Sequence, residues 1–280
     1  EPNGAKPHLD QGVALYDPEQ HRSLTVVYGQ DPKVTCLGYG SWALLLLGYP
    51  DGASQASDQA VQLARQLRHP FTLCFALQWA VTVDMWRGDK TAFRERSEEL
   101  LALSTEHGFL ERRASALVLV GNAIVEQVPV RAQTERNSEI PAGIASIREG
   151  LTALRATGVG LMGPFRMMEI AAYKLAGQFE AGLAALDEAF ADGGKTGEGI
   201  WKAELHRLRG ELLLAQSSAN TAQADACFHE AIAVAQRQQA KSLELRAATS
   251  LARLWHKQGR IDEARRMLTE IYGCCLLYTS

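Results

Sequence analysis

Gly194-Lys195-Thr196 ends like a phosphate-binding loop. That loop needs Gly-x4-Gly-Lys-Ser/Thr between a strand and a helix, so that backbone amides can cradle phosphate oxygens. Ala189 stands where the first glycine belongs, and a helical pattern precedes it, so the tripeptide reads as an inter-helix loop. His229-Glu230 opens like a zinc-protease His-Glu-x-x-His, but Ala233 occupies the second histidine position, and one ligand makes no zinc site. His69, His107, His206 and His256 are scattered without ligand spacing, and no nucleophile elbow accompanies the serines. The paired carboxylates Glu98-Glu99 and Asp187-Glu188 fall on polar helix faces and read as solvated. Of five tryptophans, Trp42, Trp79, Trp86 and Trp255 sit beside Leu and Ala at helical spacing and read as packing residues. Trp201 follows a glycine-rich stretch at a helix start and is expected to be partly exposed. The residue types therefore imply no catalytic, metal or cofactor site.

A binding strip is the remaining chemistry. Arg246, Thr249, Arg253 and His256 recur at helical spacing on one stripe, and Lys202 and Arg209 join them from the preceding hairpin. With Trp201, these are the candidate partner-binding residues. A strip of guanidinium and ammonium groups suits a carboxylate or an acidic segment, because charge-assisted hydrogen bonds are the stronger ones.

The elements that carry the strip follow from a recurrent turn. It reads Leu47-Gly48-Tyr49-Pro50, Arg87-Gly88-Asp89, Ala176-Gly177-Gln178-Phe179 and Gln258-Gly259-Arg260-Ile261. The glycines are 40, 89 and 82 residues apart, one period followed by two near-doubled ones. A fixed period of this size marks stacked helical hairpins. Residues 242–258 place Leu243, Ala247, Ala248, Leu251, Ala252, Leu254 and Trp255 on one stripe, the spacing of an amphipathic helix. Gly259 ends that helix, and Asp262 and Glu263 suit the positive end of the next. The same reading predicts helices at 31–47, 53–67, 71–86, 91–106, 110–127, 140–156, 162–176, 179–191, 199–216, 221–238, 242–258 and 261–272. They form six antiparallel hairpins after an N-terminal opening segment, 1–30, with a short helix at 8–22. Breaks are expected at Pro129–Pro141, Asp192–Gly197 and Ser217–Asn220, and no sustained strand alternation is present.

Ala224, Phe228 and Ala231 follow a small-large-small pattern, repeated by Gly182, Leu186 and Ala189 and by Ala264, Leu268 and Ile271. The small residue lets helices approach closely, and the large one fills the groove between hairpins. Tyr173 and Trp255 each stand four residues before a turn glycine. Bulky aromatic, turn glycine, small residue, large apolar residue: this resembles the tetratricopeptide pattern, with a period longer than that family's usual 34 or so residues. The expected fold is all-α, a solenoid spanning 31–273.

Several stretches are more specific. They are Leu15-Tyr16-Asp17-Pro18-Glu19-Gln20-His21, Tyr28-Gly29-Gln30-Asp31-Pro32, Leu46-Leu47-Gly48-Tyr49-Pro50-Asp51, Ala203-Glu204-Leu205-His206-Arg207-Leu208-Arg209-Gly210-Glu211-Leu212-Leu213-Leu214-Ala215, Gln238-Gln239-Ala240-Lys241-Ser242-Leu243-Glu244-Leu245-Arg246-Ala247-Ala248 and Ile271-Tyr272-Gly273. Together they resemble the C-terminal repeat region of large bacterial signalling proteins. There, a class III adenylate/guanylate cyclase domain is followed by an AAA-type ATPase and then tetratricopeptide repeats. The resemblance covers about residues 8–273. It implies that the chain is a non-catalytic sensor or interaction module whose partner is a protein, a peptide or the upstream domains. The alternatives are the sensor repeats of a transcription regulator and a free-standing helical scaffold; a helical-scaffold enzyme is disfavoured because no acids or metal ligands converge.

Bulk properties agree with that reading. The 280 residues carry a net charge of -3, which gives no general attraction to nucleic acid or anionic membrane. The apolar run Trp42–Leu47 is too short to span a bilayer. Five cysteines without a Cys-x-x-Cys pair suit a reducing, cytoplasmic setting. The polar start without Met reads as a fragment without a signal peptide, and residues 274–280, Cys-Cys-Leu-Leu-Tyr-Thr-Ser, depart from the resemblance and read as non-native.

Overall fold

The computed structural model describes residues 2–127, 133–158, 163–196 and 199–276, of which 133–137, 193–196 and 272–276 are described in backbone only. Among the described residues every regular element is a helix. Three short helices open the chain: α1 (Pro2–Ala14), α2 (Pro18–His21) and α3 (Leu24–Tyr28). Six hairpins follow: α4 (Pro32–Leu47) with α5 (Pro50–Leu67), α6 (Pro70–Arg87) with α7 (Lys90–Glu106), α8 (Leu110–Gln127) with α9 (Gln133–Thr157), α10 (Gly163–Leu175) with α11 (Phe179–Thr196), α12 (Lys202–Gln216) with α13 (Thr221–Arg237), and α14 (Lys241–Lys257) with α15 (Ile261–Leu276). The expected all-α array of six hairpins is the observed one.

The four signature glycines do what the recurrent turn requires. Gly48, Gly88, Gly177 and Gly259 have φ between 71° and 95°. A residue without Cβ takes this left-handed conformation cheaply and closes the preceding helix. Between hairpins α4–α5 and α6–α7 the same conformation falls to Arg68, at φ 52°.

Three boundaries differ from the sequence reading. The expected helix at 8–22 is replaced by α1 and α2, because Asp17 caps a new start at Pro18 by accepting from the Glu19 amide at 2.9 Å. The expected break at Pro129–Pro141 is shorter, since α9 already begins at Gln133 and carries Pro141 inside it. Ile147, Leu151 and Leu154 are buried on the part of α9 that follows the proline. The expected loop at Asp192–Gly197 is helical as far as Thr196. The side chains of Lys195 and Thr196 lie outside the described ones, as do the side chains of 272–276 and all of residues 277–280, so the reading of the tail falls largely outside them too.

The chain divides into two compact units, one of residues 2–45 and 49–159, the other holding 46–48 and 160–280. In the first, α8 and α9 approach through glycines. A Cβ on Gly121 would lie 2.6 Å from the Gly143 carbonyl oxygen, and one on Gly150 would lie 2.6 Å from the Ala114 oxygen. In the second, Ala224, Phe228, Leu251 and Leu254 form a buried cluster flanked by Leu213, Trp255 and Met267. Phe228 presses on Gly210, where a Cβ would come within 2.5 Å of its ring. Ala224, Phe228 and Ala231 are fully buried, as the small-large-small pattern predicts.

Candidate functional site

The stripe on α14 forms because residues 246, 249, 253 and 256 advance three or four positions at a time, which returns each to the same helix face. The opposite face is buried through Leu243, Ala247, Leu251 and Leu254. The stripe's members have different fates. Arg253 and His256 are exposed, and neither has an ion-pair or hydrogen-bond partner among the described residues. The same holds for Lys202, at the start of α12. Thr249 donates its hydroxyl to the Leu245 carbonyl at 2.7 Å, a back-bond within the helix.

Two more candidates are engaged within the fold, and the expected exposure of Trp201 is corrected. The Arg246 guanidinium donates to both Glu204 oxygens, at 2.8 and 3.3 Å. Arg209 turns to α11, where it pairs with Asp187 and lies 5.2 Å over the Phe190 ring. Trp201 is only 5% exposed. It closes a single 3-10 turn, Gly199–Trp201, that runs into α12, and Gln238 donates to the Gly199 carbonyl at 2.6 Å to tie that turn down. The apolar ring is folded inward rather than offered at the surface.

Beneath the stripe lies an ionic chain that the sequence reading does not foresee. Arg207 donates to both oxygens of Glu204, at 2.6 and 2.9 Å, and also pairs with Glu211. Glu211 in turn pairs with Lys174 of α10 and accepts the Ser250 hydroxyl of α14 at 2.9 Å. One continuous set of charges thus links the first helices of three hairpins. Glu204 and Arg207 are 4% and 7% exposed. Burial works against ionising Glu204, but the Arg207 and Arg246 guanidiniums outweigh it and hold its carboxyl down at about 2. Glu211 is lowered too: burial opposes its ionisation, and Arg207 and Lys174 prevail. The same unit buries Arg166 and Glu169, paired at 2.9 Å, with Glu188 of α11 at 2.7 Å from the same arginine. A signal for this chain was present: Glu204, Arg207 and Glu211 fall on the same face of α12 as Leu208 and Leu212, so acids and bases alternate with apolar residues on a buried stripe.

The remaining candidates take structural positions. Glu98 and Glu99 are paired with Arg94 and Arg65, at 2.8 Å each, and Asp187 and Glu188 with Arg209 and Arg166. His229 sits 3.1 Å from Asp225 and 5.9 Å from the Trp255 ring. Among the described residues no three of His, Cys, Asp and Glu gather as a metal site would require. No described helix is long and apolar enough to cross a membrane. In the other unit, Trp42, Trp79 and Trp86 are half-buried in an aromatic cluster with Tyr39 and Phe75, ring centroids 5.0–6.2 Å apart. That unit also has a surface cavity of about 640 Å³ between α5 and α7, lined by Asp58, Gln62, Arg65, Arg68 and Arg96. Two of its arginines are already neutralised, Arg65 by Glu99 and Arg96 by Asp58 and Asp84.

No family model matches the chain. Its fold resembles the crystal structure of the apo form of RapI, with a TM-score of 0.63 over 97% of each chain at 12% identity. It also resembles a thermophilic TPR protein of Thermus thermophilus, with a TM-score of 0.57 over 78% of this chain and 98% of that one, at 17% identity. The fold is a tetratricopeptide-like α-solenoid. In sequence the chain is 27% identical over 254 residues to an uncharacterised protein of Rhizobium meliloti (strain 1021). It matches 24% of that protein's length, so it spans about a quarter of its relative.

Proposed function

We propose that this solenoid is the non-catalytic sensor and interaction region of a larger cytoplasmic bacterial signalling protein, and that it regulates catalytic domains upstream of it. The observation that carries the reading is the division of labour among its cations. Arg207, Arg246, Arg166 and Lys174 are consumed by internal carboxylates, whereas the cations Arg253 and Lys202, and beside Arg253 the His256 ring, are exposed without partners among the described residues. Cations left over on a scaffold with fixed helix positions are suited to an acidic segment of a protein or peptide. The signalling context rests on the resemblance of 8–273 to the repeats that follow a class III cyclase and an AAA-type ATPase, and the length of the Rhizobium meliloti relative leaves room for such domains. Regulation would act by population shift: a ligand that binds one arrangement of the hairpins more tightly biases the equilibrium by that difference in affinity.

The test is Arg253→Glu in the full-length protein, with a fluorescein-labelled acidic decapeptide as probe in anisotropy titrations. The reading expects at least a tenfold loss of affinity with the melting temperature unchanged. Equal affinity would remove the acidic-segment assignment, and a large fall in melting temperature would make Arg253 a structural residue.

A further inference from the structure

Arg68 stands at a position that suits glycine. It closes α5 in the left-handed conformation, at φ 52°, where a side chain is strained. Helix ends elsewhere take glycine for this purpose, at Gly88, Gly108, Gly177 and Gly259. Gln239 is the one other non-glycine residue of this kind among the described residues. A residue kept against its backbone preference implies a use for its side chain. The fold supplies Arg68 with none: its side chain is exposed and has no ion-pair or hydrogen-bond partner among the described residues. It does line the cavity of about 640 Å³ between α5 and α7.

The rest of the lining suits an anion. The guanidiniums of Arg65, Arg68 and Arg96 meet there with the amides of Gln62 and Gln66, and Asp58 is the single carboxylate of the lining. Gln62 and Gln66 are exposed and, like Arg68, have no side-chain partner among the described residues. Arg65 engages Glu99 through Nη2 alone, which leaves its Nη1 and Nε unused among the described residues. Arg96 engages Asp84 through Nη1 and Asp58 through Nη2. Two of the three acids that occupy these arginines face water: the side chains of Asp58 and Glu99 are 52% and 38% exposed. Ion pairs so exposed contribute little, so both acids can turn aside at small cost.

We propose that this cavity binds the phosphate groups of a small polyanion, with Arg68 as the anchor. A single carboxylate offers Arg65 and Arg96 no more than Glu99 and Asp58 already do. A phosphate group offers more charge and three oxygens, enough to engage the unpaired fork of Arg68 and the spare nitrogens of Arg65 together. The cavity's volume lies within the range of about 300–1,000 Å³ usual for small-molecule sites. The site is separate from the strip on α14. It lies on second helices of their hairpins, in the unit that holds residues 49–159, and it does not rest on the function proposed above.

The experiment is hydrogen exchange on the full-length protein, read in the peptide covering residues 60–72 while pyrophosphate is titrated in metal-free buffer. A local reading keeps phosphate bound elsewhere out of the signal. Protection that saturates is expected. Arg68→Gly should raise the pyrophosphate midpoint about tenfold or more, with the melting temperature unchanged or higher, because glycine takes this conformation without strain. Gln66→Glu adds a carboxylate to the lining without touching the turn, and should raise the midpoint too. Absence of saturable protection overturns the proposal, as does a midpoint that Arg68→Gly leaves unchanged. If Arg68→Gly lowers the melting temperature, Arg68 holds the turn, and an unchanged midpoint in Gln66→Glu then overturns the proposal. Tricarballylate that protects as well as pyrophosphate would overturn the phosphate assignment, and equal protection by the acidic decapeptide would give the cavity to a protein segment instead. Arg265→Glu, a charge reversal at an exposed position of α15, should leave the midpoint unchanged; a rise equal to that of Arg68→Gly would mean diffuse attraction and no site.

Discussion

Glu204 is where the ionic chain of α12 is most buried. It is buried, and two arginines meet its carboxylate. Removing one partner of a buried pair leaves an uncompensated charge, which costs about 3 kcal/mol or more. Glu204→Gln should therefore destabilise the protein by about 3 kcal/mol in chemical denaturation. Arg246→Ala should cost under about 1 kcal/mol, because Arg246 is 42% exposed and its contribution is screened by solvent. A carboxyl held near 2, below its ordinary value, stabilises the fold above about pH 4–5, and that stability drains away as pH falls from there through 2. Asp84 works in the opposite sense. Burial raises its carboxyl to about 6 despite Arg96, which sits 3.0 Å away and pulls the other way. The folded chain takes up a proton there more readily than the unfolded one, so this group's contribution grows as pH falls from about 7 toward 4. Carboxyl NMR should find Asp84 titrating near 6, and Asp84→Asn should abolish that uptake; a titration near the ordinary aspartate value would contradict the burial argument.

At the scale of elements, α8 and α9 approach backbone to backbone, and glycine permits it. Gly121→Ala would push a methyl against backbone and not against a movable side chain, so about 2 kcal/mol should be lost, with the helix content by circular dichroism retained. Gly210→Ala meets the Phe228 ring instead and tests the same idea against a side chain. The elements themselves were legible in the sequence because their signals are local: the turn glycines, the apolar stripe of α14 and the Ala224-Phe228-Ala231 pattern each speak for themselves. The start of α9 was not, since Pro141 is a strong local stop signal, yet the helix already runs from Gln133 through it. The candidate site was legible only in outline. The spacing of Arg246, Arg253 and His256 put them on one stripe, but nothing local to Arg246 reveals that Glu204, forty-two positions earlier, takes its charge. Trp201 misleads too, because the glycine-rich approach to it suggests a surface position and the folded chain leaves it 5% exposed.

Over the whole molecule, the acid response should be uneven. The carboxyls held down by arginines, Glu204 and Glu211, sit in the unit of residues 160–280, while the raised carboxyl, Asp84, sits in that of residues 2–45 and 49–159. Hydrogen exchange at about pH 3 should therefore loosen α10, α12 and α14 before α6 and α8. Simultaneous loss in both units would mean that the ionic chain does not set local stability. An uneven pattern of this kind is what a stacked array produces when its stability is a sum over neighbouring hairpins and not a single number.

Repeat arrays are often treated as strings of interchangeable parts, lengthened or shortened by copying a hairpin. The chain of charges running Lys174–Glu211–Arg207–Glu204–Arg246 does not allow it in this stretch. Glu204, Arg207 and Glu211 are all on α12, so replacing that hairpin by a copy of another would leave Lys174 and Arg246 facing side chains that do not match them. The tie is strongest at α12, whose Glu204, Arg207 and Glu211 neutralise one another and draw Lys174 from α10 and Arg246 from α14, so that hairpin is the one least open to exchange for a copy of another.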